Sequence, residues 1–400
     1  MSFATQMRRL DDPFFTVTPT RSEGMLERSG GHSIHWTEAG HPQGMPVVVV
    51  HGGPGSSTNA SRRRFYDPAV WRIVMFDQRG CGRSTPAGSL VDNTLQHTIG
   101  DMEALRELLG IERWVVAGGS WGSTVAVAYA EAHPESCMGL SLTSMWLARE
   151  LDIEWWFQGV RAMFPELWAA FAALVPEAER GDLRRAYCSR ILGDDPVVAA
   201  VAAEQLCVYE RGFMQFDVDP SDGKHPAVEL QGTADGLGVA EPDAASVAYG
   251  RIFAHYAQNN FFVKDTELLD NAAATIAELP VEMVVGRYDC CCPPNNSFDL
   301  AQRLPLCNLV VVPGAGHKAS EVAMSAPCSQ APDRLRLRIQ SVQALAQEQV
   351  RWEQECEEDF ASPTKVRAAK IVALQEKLAV LQTASQESRA ASPEAPPASG

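Results

Sequence analysis

Residues 117–124 read Ala-Gly-Gly-Ser-Trp-Gly-Ser-Thr and set Ser120 between close glycines, directly after the apolar run Trp114-Val115-Val116. A serine at the apex of a sharp strand-to-helix turn fits the G-x-S-x-G pattern, in which the hydroxyl stands exposed above a sheet edge. A serine hydroxyl is a weak nucleophile until a histidine takes its proton, and that histidine needs an acid to orient it. With this turn the partners follow in the order serine, acid, histidine. Asp289 lies just past the apolar run Met283–Val285, and His317 just past Leu309–Val312. Both are thereby expected at the strand ends that hold Ser120. The chemistry would be acyl transfer, with Ser120 as nucleophile, His317 as base and Asp289 as orienting acid.

Acyl transfer also needs N–H donors aimed at the developing oxyanion. A glycine-rich loop, His51-Gly52-Gly53-Pro54-Gly55, follows the run Val47–Val50. Gly53 is expected to supply one donor, because a residue without a side chain permits close approach. Trp121, the residue after the nucleophile, is expected to supply the other. His32, His35 and His41 read as a polar N-terminal segment, and His97, His133, His225 and His255 as structural. Cys290-Cys291-Cys292 directly follow the acid, so a bulky thiol adduct there is expected to disturb the Asp289 loop.

The elements that must position these residues recur along the chain. Short apolar runs at 47–50, 73–76, 114–117, 140–143, 283–285 and 309–312 suit strands buried on both faces of a parallel sheet. Helical patterns lie between them, for example 99–109 and 124–133. The alternation predicts an α/β fold, with a mostly parallel doubly wound sheet. It stops near Met145 and resumes near Glu282, and the intervening Trp155, Trp156, Phe157, Phe164, Trp168 and Phe171 predict an inserted helical cap. The expected organisation is a core over 1–145 and 265–331, a cap over 146–264, a C-terminal helical extension over 332–383 and a disordered tail over 384–400. Within the cap, about 220–243 is expected to be a loop.

Composition narrows the class. A net charge of −16 argues against nucleic-acid and anionic-membrane partners. No window reaches the length of a transmembrane helix, and the N-terminus carries no secretory signal pattern. The ten cysteines show no paired C-x-x-C spacing, which suits reduced thiols in the cytoplasm. No metal or organic cofactor is implied. The C-terminal helices are candidates for self-association, although the leucine spacing from Ile371 to Leu381 is too short for a coiled coil.

Five blocks together carry a family resemblance: HGGPGSS (51–57), FDQRGCGRSTP (76–86), GGSWGST (118–124), GRYDCCCP (286–293) and PGAGH (313–317). They resemble the proline iminopeptidases, α/β-hydrolase serine peptidases that remove an N-terminal proline. The resemblance spans about residues 14–321 and implies the roles just given to Ser120, Asp289 and His317, with Asp77, Arg79 and Gly80 bracing the oxyanion loop. It also implies a free N-terminal proline on a peptide substrate, its amine held by cap carboxylates. Glu210, in Val208-Tyr209-Glu210-Arg211-Gly212, matches one of these. At the second expected position, within Arg251–Tyr256, this chain has Phe253. The alternatives are a carboxylesterase or amidase for a small neutral acyl group and, from another class, a non-catalytic interaction protein.

Overall fold

The computed structural model describes residues 13–214 and 242–358. The expectations for the 220–241 loop, the leucines at 371–381 and the tail over 384–400 lie outside the described residues.

An eight-stranded sheet runs in the order β1-β2-β4-β3-β5-β6-β7-β8. Its strands are β1 (Thr20–Arg28), β2 (His32–Gly40), β3 (Met45–Val50), β4 (Trp71–Phe76), β5 (Trp114–Ser120), β6 (Cys137–Met145), β7 (Val281–Gly286) and β8 (Cys307–Val312). From β4 through β8 all neighbours are parallel, whereas β1–β2 and β2–β4 are antiparallel. The antiparallel pair corrects the sequence reading of a polar N-terminal segment. His32 and His35 are buried strand residues, and His41 directly follows β2. β1 alternates half-buried with exposed positions, and such a half-solvated strand lacks the continuous apolar run used to find the others. β6 is also longer than the run 140–143, because Gly139 and Ser141 interrupt its apolar pattern.

The helices follow as α1 (Leu95–Leu108), α2 (Trp121–Ala132), α3 (Glu150–Phe157), α4 (Pro165–Ala173), α5 (Leu183–Ile191), α6 (Pro196–Met214), α7 (Ala244–Gln258), α8 (Glu267–Thr275), α9 (Pro294–Arg303) and α10 (Val322–Glu358). α1 and α2 each start before the expected patterns at 99 and 124, α1 because Thr94 caps it by accepting from the His97 N–H. The stretch between β6 and β7 holds α3 to α8, of which α3 to α7 pack around an aromatic centre. Phe171 stacks between Tyr187 and Tyr209, with centroids at 3.9 and 4.1 Å, and Trp156 stands edge-on to Tyr209 and Phe213.

Polar contacts tie this helical stretch down, among them Trp155 Nε1 donating to the Cys290 carbonyl at 2.7 Å. Beneath α3, Arg149 pairs with Asp152 and Asp299, and Asn296 donates to Asp152. Along α7, Tyr256 donates to the Asn93 side chain and His255 meets the Asn93 carbonyl. α10 crosses residue 332 without a break, so the expected start of a separate extension falls inside a helix. Met324, Cys328, Ala331, Leu335 and Ile339 keep helical spacing and are buried against the sheet. Burying this stripe outweighs the roughly 3 kcal/mol that an interior proline costs, at Pro327 and again at Pro332. Among the described residues no helix is long and apolar enough to cross a membrane.

Candidate active site

Ser120 ends β5 and caps α2, and its backbone has φ +56° and ψ −133°. A non-glycine residue there is strained, and strain of this kind persists only where its surroundings over-determine it. The two outer glycines of the motif do so. A Cβ at Gly118 would stand 2.1 Å from the Gly122 carbonyl oxygen, and one at Gly122 would stand 2.4 Å from the Val50 carbonyl oxygen. The turn closes on itself and against β3 because neither residue has a side chain. Ser123 and Thr124 then fasten it to the end of β6: Ser123 Oγ donates to the Ser120 carbonyl, and Thr124 Oγ1 donates to the Trp146 carbonyl at 2.6 Å.

Asp289 and His317 come from the loops after β7 and β8, and both are buried. His317 Nδ1 lies 2.9 Å from Asp289 Oδ2 and 3.0 Å from Oδ1. Asp289 Oδ1 also accepts the backbone N–H groups of Cys291 and Cys292, at 3.0 and 2.8 Å. Burial opposes a charge on the His317 ring, but the adjoining Asp289 carboxylate overrides it and raises the pKa. The Ser120 hydroxyl meets Cys292 Sγ at 3.8 Å. Among the described residues no hydrogen bond joins it to His317, as is common before substrate tightens such a site. Burial raises the Cys292 pKa, and for Cys291 the hydrogen bond to Cys292 comes first and burial second, so both stay thiols at neutral pH.

The loop after β3 lies across this serine. Gly52 approaches closely enough that a Cβ there would sit 3.4 Å from the Ser120 Cβ, and Gly53 lines the same cavity with φ +113°. Trp121, the first residue of α2, is fully buried. Its backbone N–H belongs to the helix's first turn, where N–H groups have no partner inside the helix. Three residues that the sequence reading left without a role hold the arrangement. Gln78 donates to the His51 carbonyl and accepts from Trp121 Nε1 at 3.0 Å, which links the glycine loop to the serine turn. Glu321 accepts from the N–H groups of Gly316 and Lys318, one on each side of His317. Tyr249 reaches Glu210, as described below. Gln78 sits inside the quoted DQRGCGRS block, which was its signal, whereas nothing local marks Glu321. Asp77 braces the glycine loop by accepting from the Thr58 N–H and hydroxyl, and Arg79 forks onto Asp101 of α1.

Above the serine lies a narrow cavity. Its walls are aromatic, with Trp146, Trp156, Phe253 and Phe261 among them, and Glu210 is its carboxylate. Glu210 accepts the Tyr249 hydroxyl at 2.5 Å, and burial raises its pKa. Phe253 packs at 5.0 Å, centroid to centroid, from Trp156. A wider polar cleft, lined by His317, Ser56, Arg62 and Lys318, shares Gly53, Ser120 and Glu210 with this cavity.

Residues 45–323 match the alpha/beta hydrolase fold family model. A probable proline iminopeptidase from Leptolyngbya boryana is 40% identical over 321 residues, covering 80% of this chain and 95% of that protein. The chain belongs to the proline iminopeptidase family. The Arabidopsis thaliana proline iminopeptidase is likewise 40% identical, over 79% of this chain and 80% of its own length. The Neisseria gonorrhoeae proline iminopeptidase is 36% identical over 79% and 96%. Among solved structures, VinJ superposes with a TM-score of 0.52 at 19% identity, over 80% of this chain and 99% of that one. An esterase from Rhodococcus gives 0.50 at 18%, with the same two shares, and each of these likenesses concerns the fold alone. As a member of the proline iminopeptidase family, the chain is a hydrolase of the α/β fold.

Proposed function

We propose that this chain is a serine aminopeptidase that releases an N-terminal proline, or a similar small residue, from peptides. The observation that carries the reading is the convergence of a strained serine, a buried His–Asp pair and a carboxylate-bearing cavity at one sheet edge. Ser120 attacks the scissile carbonyl while His317 takes its proton, and Asp289 holds the ring with Nε2 toward the serine. The N–H groups of Gly53 and Trp121 receive the oxyanion. His317 then returns the proton to the departing amine, and water cleaves the acyl-enzyme by the same steps in reverse.

Glu210 is the recognition residue. Burial desolvates its carboxyl, which favours the neutral form; an arriving ammonium adds a cationic partner and restores the charge. The aromatic walls suit a pyrrolidine ring, and the polar cleft beside His317 suits the remainder of the peptide. Phe253 favours a second reading: a wall with one carboxylate also accepts a small neutral acyl group, as a carboxylesterase or amidase would. Parallel assays with a prolyl arylamide and a short-chain nitrophenyl ester separate the two. Hydrolysis of the arylamide above the ester supports the aminopeptidase, and ester hydrolysis alone overturns it.

The proposal extends to a cytoplasmic setting, supported by thiols such as those of Cys81, Cys137, Cys188 and Cys292, which form no disulfide. It also includes self-association through α10, where Leu337, Val342 and Val350 are exposed.

A further inference from the structure

The mechanism leaves two buried thiols beside the reacting atoms unused. Cys291, Cys292 and His317 each offer one ligand atom, and these atoms all lie within 4.8 Å of one another. The sequence reading implied no metal site, because adjacent cysteines lack the C-x-x-C spacing by which such sites are recognised. Folding supplies what spacing did not. Asp289 accepts the N–H groups of both cysteines through one carboxylate oxygen and holds His317 Nδ1 as well, so a single buried residue anchors all three ligands.

We infer that Cys291, Cys292 and His317 form a binding site for a thiophilic divalent cation such as Zn²⁺ or Cd²⁺, and that its occupation switches the hydrolase off. Two thiolates and one imidazole make a ligand set that suits these ions. With Nδ1 engaged by Asp289, the ring presents Nε2 as its ligand. The carboxylate–imidazole pairing that orients a metal-bound histidine is therefore already in place. Tetrahedral coordination calls for ligand atoms closer than the 4.8 Å within which these three lie, by about 1 Å at most. Water, or the Ser120 hydroxyl 3.8 Å from Cys292 Sγ, completes the shell. Binding is redox-neutral: two thiols and the protonated His317 ring lose their protons to solvent, both sulfurs and Nε2 donate lone pairs to the cation, and no other bond breaks. The nitrogen that must accept the Ser120 proton is then occupied. Cys291 and Cys292 also line the acyl cavity, so metal and substrate exclude each other.

The inhibition rests on the proposed use of His317 as base, whereas the binding site does not. The test titrates Cd²⁺ into the full-length metal-free protein at neutral pH, reading thiolate-to-cadmium ultraviolet absorbance and prolyl arylamide hydrolysis in the same samples. One equivalent is expected to give the absorbance of two thiolates while activity falls in step, competitively with substrate, and EDTA should reverse both. Cys291→Ser and Cys292→Ser should each weaken binding by more than the roughly 10–100-fold that loss of an outer-shell partner costs. Cys290→Ser, outside the cluster, should leave binding unchanged. His317→Ala keeps both thiols and should weaken the cadmium complex as well, which gives a second variant should a serine replacement fold poorly. An absorbance signal that survives Cys291→Ser/Cys292→Ser undiminished overturns the site, and two-thiolate binding with full activity overturns the switch. A wild-type chain inert toward both arylamide and ester before any metal is added would refute the hydrolase reading, with the absorbance arm still deciding the site.

Discussion

The floor of the site and its roof are built by different means. On the floor, Ser120, Asp289 and His317 stand at the ends of β5, β7 and β8, and backbone geometry fixes them. The glycine pair around Ser120 admits no Cβ, and the Asp289 carboxylate is held by two N–H groups. In the roof, Glu210 and Phe253 project from α6 and α7, which are held together largely by aromatic packing. The floor therefore tolerates little change of residue, while the roof is set by how its aromatic side chains pack. On the proposed function, reaction type belongs to the first region and choice of substrate to the second.

The largest effect should come from removing the nucleophile. Ser120→Ala and His317→Ala are each expected to lower kcat by about 10⁶, with the double variant little worse, because residues acting as a unit are not additive. Steady-state assays on both substrates, with circular dichroism to confirm folding, check this; retained turnover in the serine variant would remove the floor from the comparison.

Asp289→Asn should cost about 10⁴ in kcat, since the ring loses the partner that fixes its tautomer. It also carries a pH signature. The base must be unprotonated, and Asp289 raises the His317 pKa, so the wild-type rate should fall as pH drops through a value above 6.5. The asparagine variant should move that acid limb downward. An unmoved limb would assign the titration to another group.

The roof should respond selectively. Glu210→Gln is expected to reduce kcat/KM for a prolyl arylamide by about two to three orders of magnitude, the equivalent of roughly 3–5 kcal/mol for an ammonium left buried without a partner. Hydrolysis of a neutral ester should change little. Equal losses on both substrates would make Glu210 a packing residue and dissolve the distinction between floor and roof.

The smallest shift is expected from Phe253→Glu. If the phenyl ring stands where relatives of this family place a carboxylate, added charge should raise the arylamide-to-ester ratio by about tenfold, within the worth of one pair in a partly solvated site. Thermal unfolding must accompany the assay, because a glutamate beside Trp156 without a cation would loosen the cap.

Much of the floor was legible in the sequence because its signals are local. Val47–Val50, Trp114–Ala117 and Met283–Val285 are continuous apolar runs, and each is followed within a few residues by a chemically distinctive loop. What escaped notice depends on distance. β1 has one face toward solvent, and the buried positions of β2 include His32, His35, Thr37 and Glu38, so neither strand shows a continuous apolar run. Glu321 acts through the N–H groups of its neighbours, a role that any acceptor of the right length could fill. Cys291, Cys292 and His317 become a set only when the loops after β7 and β8 meet. Pro327 and Pro332 read as helix breakers, and only the sheet beneath α10 explains why the helix continues through them.

That last helix also has a consequence for how the chain is made. Leu335 and Ile339 close a patch formed by Val47, Ile73, Val115 and Ala117, residues from the first third of the sequence. At roughly 5–20 residues per second, synthesis leaves that face of the sheet uncovered for on the order of 10–40 s after Ala117 is joined to the growing chain. During this interval the nascent protein presents apolar surface that its own distant downstream segment later covers, and such transiently exposed surface is what makes an incomplete chain prone to aggregate.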